Sequence, residues 1–230
     1  MNSITWYGHA AFMITWENTR ILIDPFLSGN PMFSGSWEEL PAPDVVLVTH
    51  YHGDHVGDAF EICKKTGAKL GSIVEIAGEF AKKGLPGSQI LNGIGFNIGG
   101  TVTVNGIGIT MTEAFHSSDG IGMPTGFIIT LTDGRSVYHA GDTGIFFNMA
   151  TWGKLYDIHY ALLPAGGVFT MDYRQAMLAA AMLRAKNLIP MHWGTFPALA
   201  PNMDPMREEL AHVAPECALM IPEKGKPIFL

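Results

Sequence analysis

A short segment near residue 50 concentrates side chains that bind metal ions. The stretch "VVLVTHYHGDHVGDAFEICKK", residues 45–65, places three histidines and two aspartates within nine positions directly after an apolar run. Four of them, His50, His52, Asp54 and His55, are poor core residues, and protonated imidazoles so close together would repel one another. Imidazoles and carboxylates are good ligands for Zn²⁺, Mn²⁺ and Fe. A polar loop of solvated histidines does not account for this spacing, so we expect a metal site.

Residues far along the chain must complete the coordination sphere of such a site. His116 in "TEAFHSSD", Asp142 in "VYHAGDTG" and His192 in "LIPMHWGT" each follow a predicted strand. If these strand ends meet at one edge of the sheets, seven donors converge, five histidines and two aspartates. These residues therefore indicate a metal site at that edge.

The first half of the chain alternates predicted strands and helices. Strands are predicted in "ITWYGHAAFMIT", "RILIDPF" and "DVVLVTH", and a helix over 58–66 ends at Gly67. A short strand in "KLGSI" precedes a second helix around 74–83, which is stopped by Gly84 and Pro86. This alternation favours a layered sheet with helices outside.

The second half begins with strands and returns to helices after residue 144. "FNIGGTVTVNGIGITMTEAF" and "GFIITLTDGRSVYHAGD" are strand runs, and "LTDGRS" is a hairpin signal. Helices are predicted in "IFFNMATWGKLY", over 172–185 with Asp172 as N-cap, and near 204–213. Strands are predicted in "YALLPAG", "NLIPMHW" and "ALMIPEKGKPIFL". We predict one domain over 1–230, built from two similar halves.

Composition limits the cellular compartments and the classes of binding partner that we expect for this chain. The chain is 47% hydrophobic and 15% charged, with a formal net charge of −7 and no run of Lys or Arg, so a nucleic-acid partner is not expected. Cys63 and Cys217 lack C-x-x-C spacing, as is typical of a reduced cytosolic chain. The N-terminus does not read as a signal peptide, and no apolar run reaches the roughly 18 residues of a membrane span. We expect a soluble, cytoplasmic protein with no membrane partner; the apolar composition permits a homo-oligomer without requiring one.

The motifs resemble those of a known superfamily. "THYHGDH" is similar to the H-x-H-x-D-H signature of metallo-β-lactamase-fold hydrolases, and the later single His, the "AGDT" Asp and the final His follow in the same order. Five segments resemble more specifically the UlaG-like (UPF0173-type) metal-dependent hydrolases. They are "WYGHAAF", "ILIDPF", "YHAGDTG", "LLPAGG" and "PMHWGT". The resemblance implies an α/β (α+β four-layer) fold: the αββα metallo-β-lactamase sandwich, with two mixed sheets inside and helices outside.

The resemblance also implies a role for each donor. Its pattern divides the seven donors between two ions: His50, His52 and His116 for one, Asp54, His55 and His192 for the other, with Asp142 as bridge. Relatives with a di-iron site for oxygen chemistry carry Glu at the position of His52, so the intact set favours hydrolysis. Asp54 and Asp142 are the expected catalytic residues, because Asp54 would orient a metal-bridging hydroxide and Asp142 would fix the metal spacing. Zn²⁺ suits the two positions best, with Mn²⁺ or Fe as alternatives.

Further polar residues are candidates to orient the ligands. His9, at a position that recurs in the UlaG-like group, is expected either to line the site or to be a hydrogen-bonded core histidine. Asp24, at a strand end, is expected to orient a ligand imidazole. His139 is expected to be structural, and His159 and His212 are expected not to bind metal.

Two segments near the predicted site could contact substrate. The backbone N–H groups of 166–172 could face an anionic substrate, although a glycine turn followed by the N-cap Asp172 is the favoured interpretation. Trp193 and Phe196 are candidates for a pocket wall, but aromatic residues more often belong to the core. No Lys or Arg stands out as a phosphate clamp.

The leading hypothesis is a binuclear metal-dependent hydrolase that cleaves an ester, lactone or phosphoester bond of a small molecule, which could be anionic. One alternative is a phosphodiesterase or nuclease acting on nucleic acid, which the acidic balance opposes. Another is a non-enzymatic metal-binding protein, which would be expected to lack a ligand. Fold does not fix substrate, and the sequence names neither the substrate nor the acid that protonates the leaving group.

Overall fold

The computed structural model describes residues 1–230 and contains thirteen strands in two mixed sheets. In chain order the strands are β1 Ser3–Trp6, β2 Phe12–Trp16, β3 Thr19–Ile23, β4 Val45–Leu47, β5 Lys69–Gly71, β6 Thr101–Val104, β7 Ile107–Glu113, β8 Thr125–Thr130, β9 Ser136–His139, β10 Ile158–Pro164, β11 Asn187–Met191, β12 Ala218–Leu219 and β13 Pro227–Phe229. The first sheet has six of these strands and the second has seven.

The six-stranded sheet has the order β13-β1-β2-β3-β4-β5. Strands β1 to β3 are antiparallel neighbours, whereas β3, β4 and β5 run parallel because longer crossover connections join them. All three residues of β4 are buried, as expected for a parallel strand covered on both faces. The strand is shorter than predicted from "DVVLVTH", because the Thr49 N–H leaves the ladder and donates to the Asp24 side chain.

The seven-stranded sheet has the order β12-β11-β10-β9-β8-β7-β6. Strands β6 to β9 are antiparallel, and β9 to β12 are parallel. The hairpin predicted at "LTDGRS" joins β8 to β9, where Thr130 pairs with Ser136. Gly134 in its turn has a φ of 91°, a left-handed conformation that glycine adopts without a steric penalty.

Six α-helices cover the sheets. They are α1 Gly53–Val56, α2 Ala59–Thr66, α3 Val74–Lys82, α4 Met149–Leu155, α5 Tyr173–Met182 and α6 Asp204–Val213. The helix predicted over 172–185 begins after Asp172, whose carboxylate accepts a hydrogen bond from the Gln175 N–H at 2.9 Å, and it ends earlier than predicted. None of the helices combines the length and hydrophobicity that crossing a bilayer requires.

The helix predicted in "IFFNMATWGKLY" begins later in the structure than in the prediction. The structure places its first turn at Met149. The preceding residues are tied to the neighbouring strand end instead, since the Gly144 N–H donates to the Phe115 carbonyl at 3.1 Å. Phe146 is buried there against the core between sheet and helices, which favours the extended path over another helical turn.

The two sheets pack face to face around the larger of two apolar cores. Ile14 and Val46 from the first sheet and Phe127 from the second are fully buried in it, and burial of each such side chain contributes about 1.5–3 kcal/mol. The second core lies between the seven-stranded sheet and α4, α5 and α6, where Met177 and Leu163 are fully buried. Helix α2 packs on β4 and β5 at the opposite side. The predicted αββα layering is thereby confirmed, whereas the single domain over 1–230 stays a prediction.

The single closing strand predicted in "ALMIPEKGKPIFL" is wrong. The segment forms two strands in different sheets, β12 beside β11 and β13 beside β1. Between them Pro222 cannot donate to a ladder, and Gly225 turns the chain with a φ of 73°. The Gly225 N–H donates to the Trp6 carbonyl at 2.7 Å, so the chain crosses from one sheet to the other at this turn.

Candidate metal centre

The predicted donors lie at one edge of the sandwich and come from both sheets. The histidine-rich loop follows β4 of the six-stranded sheet. His116, Asp142 and His192 follow β7, β9 and β11 of the seven-stranded sheet. The structure therefore brings all seven predicted donors together where the two sheets adjoin.

A single helical turn presents two of the donors. Helix α1 starts after His52 and carries Asp54 and His55. It is stopped by Gly57, which has a φ of 41°, and a Cβ there would lie 2.2 Å from the Pro25 carbonyl oxygen. Only glycine allows this close approach, which holds the helical turn against the segment that follows β3.

The carboxylate of Asp142 is surrounded by imidazoles. Its Oδ2 lies 3.0 Å from His192 Nε2, 3.3 Å from His55 Nε2 and 3.5 Å from His116 Nε2. Asp142 is 2% exposed. Its position in space therefore matches the bridging role implied by the resemblance.

A second group of ring nitrogens, from three histidines, lies close together beside Asp142. His50 Nε2 and His52 Nδ1 are 3.0 Å apart, and a nitrogen of His116 lies within 4.8 Å of both. His50 Nδ1 contacts the Thr49 hydroxyl at 3.0 Å, which leaves Nε2 for a ligand. Two imidazole nitrogens this close must share either a proton or a cation.

His9 lines the site. One ring nitrogen, Nε2, lies 3.2 Å from Asp54 Oδ2, and the other, Nδ1, lies 3.0 Å from the Thr195 hydroxyl. The ring is fully buried and groups with Asp54, His55 and His192 as possible metal donors. The first of the two predicted alternatives for His9 therefore describes its place, and its role in orienting the ligands stays a prediction.

Asp24 is hydrogen-bonded to the ligand loop through both carboxylate oxygens. Oδ1 accepts from the Thr49 N–H at 2.8 Å, and Oδ2 accepts from the Thr49 hydroxyl at 2.7 Å. Oδ2 also contacts His55 Nδ1 at 2.7 Å. This contact places the proton of His55 on Nδ1 and turns Nε2 toward Asp142, the geometry expected of an orienting carboxylate.

The protonation preferences of these groups suit divalent cations. Burial and the nearby His55 lower the pKa of His50 to about 2, so its imidazole is neutral near pH 7. Burial alone would raise the pKa of Asp142, but His55 and His192 hold it well below its usual range. Neutral imidazoles and ionised carboxylates are the donors that Zn²⁺ prefers.

The pKa of His55 indicates that the site favours a positive charge. Burial would lower the pKa of His55, but the carboxylates of Asp142 and Asp24 raise it well above its usual value. Three buried atoms, His55 Nε2, Asp142 Oδ1 and His192 Nδ1, form no hydrogen bond. Unpaired buried polar atoms are rare in folded proteins, and metal ions would satisfy His55 and Asp142 while displacing the proton. The donor set therefore fits a metal centre.

Three residues of the site have left-handed backbones. The φ angles are 53° for His9, 45° for Asp24 and 58° for His192. Such conformations cost of order 1–3 kcal/mol for residues other than glycine and cluster at functional sites. The surrounding structure therefore holds these three residues in conformations that lower the stability of the fold and that orient their side chains.

The remaining histidines lie apart from the donors. His139 is buried, with Nε2 2.9 Å from the Ala10 carbonyl and Nδ1 accepting from the Gly141 N–H at 3.2 Å. Both ring nitrogens are thereby occupied by backbone. His159 lies near Asp157 at the surface, and His212 is in the last turn of α6. None of the three belongs to a group of metal donors.

The loop over 166–172 packs against the site through glycine. A Cβ on Gly166 would lie 1.9 Å from the His192 carbonyl oxygen, so only glycine fits there. The N–H groups of Gly167 and Met171 donate to backbone carbonyls, and Asp172 caps α5. This geometry agrees with the favoured interpretation of a glycine turn and N-cap.

Sequence reasoning missed the residues that support the donors. Thr49 contacts both Asp24 and His50, and Thr195 contacts His9. Each lies beside a donor in sequence, Thr49 directly before His50 and Thr195 three residues after His192. A hydroxyl next to a ligand is the signal that could have identified them.

The donors open into a cleft of about 280 Å³. Its lining residues are His52, Asp54, His116, Ser117, Asp142, Phe169, His192 and Phe196. The predicted wall residue Phe196 is therefore present. Trp193 is partly buried and stacks instead on the buried Trp6, with ring centroids 5.2 Å apart.

Known proteins are similar to this chain over nearly its whole length. Residues 19–193 match the family model described as the beta-lactamase superfamily domain. A UPF0173 metal-dependent hydrolase of Nitratidesulfovibrio vulgaris is 56% identical over 227 residues, which are 99% of this chain and 95% of that protein. A relative of the same description in Methanopyrus kandleri is 44% identical over 97% of each chain.

A solved structure supports the same assignment. Igni18, described as a novel metallo hydrolase from the hyperthermophilic archaeon Ignicoccus hospitalis, superimposes with a TM-score of 0.90 at 39% identity, covering 99% of this chain and 97% of that one. The resemblance found in the sequence is thereby confirmed, and with it the expectation of a metal-dependent enzyme. The chain belongs to the UPF0173 family of metal-dependent hydrolases, within the metallo-β-lactamase superfamily.

Proposed function

We propose that the protein hydrolyses an ester, lactone or phosphoester bond of a small molecule with two divalent metal ions, Zn²⁺ being the best candidate. The observation that carries this proposal is the position of Asp142, whose Oδ2 has three imidazole nitrogens within 3.5 Å. A buried carboxylate between imidazoles from two sheets is suited to bridging two cations. Paired metal ions are a recurrent device for hydrolysis.

Each donor has an assigned ion in this proposal. The ligands are His50, His52 and His116 for one ion, Asp54, His55 and His192 for the other, with Asp142 shared. When bound, the two ions lower the pKa of water to near neutrality and polarise the bond under attack.

The protein's own residues position the reactants. Asp54 has one oxygen fixed by His9 at 3.2 Å, and we assign it the orientation of the attacking water and acceptance of its proton. Asp24 holds the His55 ring through Nδ1.

The first test is the metal content per chain of protein purified without a metal-affinity tag, measured by elemental analysis. We expect about two ions per chain. The variants Asp142→Ala and Asp142→Asn are expected to lose at least one ion, because each removes the anionic bridge. Asp157→Ala is the matched control, since Asp157 lies 3.4 Å from a histidine ring at the surface. Absence of bound metal in the parent after Zn²⁺ or Mn²⁺ is supplied would refute the proposal.

A small molecule is the partner we propose. No Lys or Arg lines the cleft, and the net charge is −7. Proteins that bind the phosphate backbone of nucleic acid ordinarily neutralise it with such residues. Family membership removes the non-enzymatic alternative, whereas a cytoplasmic location and a homo-oligomer stay predictions.

A further inference from the structure

Two phenylalanines form walls of the cleft without being metal donors. Phe169 is 59% exposed and Phe196 is 36% exposed, and both line the cleft above Asp54, Asp142 and His192. Apolar side chains left open beside polar groups in a cleft are typical of a small-molecule site. We call these two residues the aromatic walls.

Phe196 is held in a defined position by other rings. Its ring centroid lies 5.4 Å from that of His9 at an interplanar angle of 68°, and 6.4 Å from that of Phe26. Edge-to-face contacts of this kind favour one ring orientation. The Phe196 ring is therefore fixed relative to Asp54, the carboxylate that His9 contacts.

Phe169 is presented by a strained loop. Val168 precedes it with a φ of 62°, a left-handed conformation that is an outlier for a β-branched residue. The loop is closed beneath it, because the Gly167 N–H donates to the Met171 carbonyl at 3.0 Å and the Met171 N–H donates to the Thr143 carbonyl at 3.0 Å. Strain of this sort persists where the surroundings enforce it, often at ligand-binding sites.

The cleft offers little to a negatively charged substrate besides the metal ions. None of the 14 Lys and Arg residues lines it. Asp119, with 68% of its side chain exposed, has Oδ1 3.5 Å from His52 Nε2 and adds negative charge near the mouth. The N–H groups of Gly167 and Met171 are already hydrogen-bonded. Sites for phosphoryl groups commonly place Arg or Lys on the phosphate oxygens.

We propose that the substrate is an uncharged ester or lactone whose apolar group, aliphatic or aromatic, lies against the aromatic walls. This inference rests on the proposed function and narrows its substrates to carboxylic esters and lactones, leaving phosphoesters out. In the reaction, the oxygen of water forms a bond to the carbonyl carbon and the bond from that carbon to the leaving oxygen breaks. One proton of water ends on the leaving oxygen, so an ester gives a carboxylic acid and an alcohol, and a lactone gives one hydroxy acid.

The test compares substrates that share one leaving group. Enzyme of measured metal content is assayed with 4-nitrophenyl acetate, butyrate and hexanoate and with 4-nitrophenyl phosphate. We expect kcat/KM to rise about tenfold from acetate to hexanoate, because each added methylene gains burial against phenyl rings. We expect the phosphate to be the poorest substrate of the four.

Variants of the walls test the same idea at the residue. Phe169→Ala is expected to raise the KM for hexanoate about tenfold and to flatten the dependence on chain length. Phe169→Arg is expected to lower kcat/KM for hexanoate and to raise it for the phosphate. Phe147→Ala is the matched control, because Phe147 is 81% exposed and does not line the cleft. Metal content should be the same in all four proteins.

The outcomes separate the two proposals. Preference for the phosphate would overturn the inference and leave a metal-dependent phosphoesterase. A chain-length dependence that Phe169→Ala does not change would overturn the binding role of the aromatic walls. Failure of the metal-loaded enzyme to hydrolyse any ester, lactone or phosphoester would overturn the proposed function as well. Rising kcat/KM with chain length that depends on Phe169 would support both.

Discussion

Asp24 is a buried carboxylate that serves the site through another residue. It is fully buried, and it accepts hydrogen bonds from the backbone and hydroxyl of Thr49 while contacting His55 at 2.7 Å. Its φ of 45° is part of the cost of this position. Because the carboxylate fixes the His55 tautomer, it sets which ring nitrogen faces Asp142.

Replacing this carboxylate should weaken metal binding without removing a ligand. The variant Asp24→Asn keeps the shape but has only one acceptor oxygen for its partners. We expect metal affinity to fall about 10–100-fold, measured by competition with a chromogenic chelator. Asp44→Asn is the control, since Asp44 accepts from the Arg20 N–H at 2.8 Å at an exposed position. Equal affinity in both variants would contradict the role assigned to Asp24.

The seven residues that converge at the site were predictable from the sequence, and the residues that support them were not; the metal-binding role of the seven stays a prediction. His50, His52 and His55 stand in a spacing that few other structures would require. Thr49 and Phe169 have no such signature, because Thr is common next to strands and Phe is common in cores. Their importance comes from contacts across the fold, which one sequence does not reveal.

At the level of elements, the helix caps and turns that position the site also affect the stability of the fold. Asp172 starts α5 directly after the loop that presents Phe169, and its carboxylate accepts from the Gln175 N–H at 2.9 Å. The variant Asp172→Ala should lower the free energy of unfolding by about 1 kcal/mol, measured by urea denaturation. Asp172→Asn retains an acceptor and should differ from the parent by only a few tenths of that unit. Equal losses in both variants would show that the cap bond is not the cause.

Gly166 packs directly against the backbone of His192, the residue that follows β11. Because a Cβ would lie 1.9 Å from the His192 carbonyl oxygen, Gly166→Ala must displace one of the two strand ends. We expect a loss of about 1–3 kcal/mol of stability together with reduced metal content. Gly78→Ala in α3 is the control, since nothing lies within 4 Å of its added Cβ, and it should stabilise the helix by up to about 1 kcal/mol. Undiminished metal binding by Gly166→Ala would refute the coupling to His192.

The helices and central strands followed from local patterns, but some of their ends did not. Gly67 and Asp172 were visible as helix boundaries because capping is local. The end of β4 was not, because it depends on Asp24, a residue outside the strand that captures the Thr49 N–H. Contacts of this kind override propensity at a site.

At the scale of the molecule, the layers were predictable and the strand order was not. Alternating strand and helix patterns indicate sheets covered by helices. The pairing of Ser3 with Phe229 joins the two ends of the chain, and no local signal in either segment specifies it. Register between distant strands is set by the buried faces that they share.

Removal of β13 should expose the edge of β1. A chain truncated after Lys226 would leave the outer backbone groups of β1 unpaired, which favours aggregation. We expect a lower Tm and loss of monodispersity, followed by thermal unfolding and light scattering. Ile228→Ala is the control, since it keeps the backbone pairing with Ile4 while shortening one side chain. A truncated chain with the Tm of the parent would contradict this view of the edge.

The origin of the donors in both sheets also has a thermodynamic consequence. His55 belongs to the segment after β4, and His192 follows β11 on the other sheet, so the ion assigned to both residues would act as a reversible cross-link between distant segments. An unfolded chain lacks this convergence, and free metal at a thousand times its Kd would stabilise the fold by about 4.1 kcal/mol. Chelation should therefore lower the Tm and restored Zn²⁺ should raise it, whereas an unchanged Tm would exclude such coupling. The cell's supply of metal would then govern how long this protein survives, as well as how fast it works.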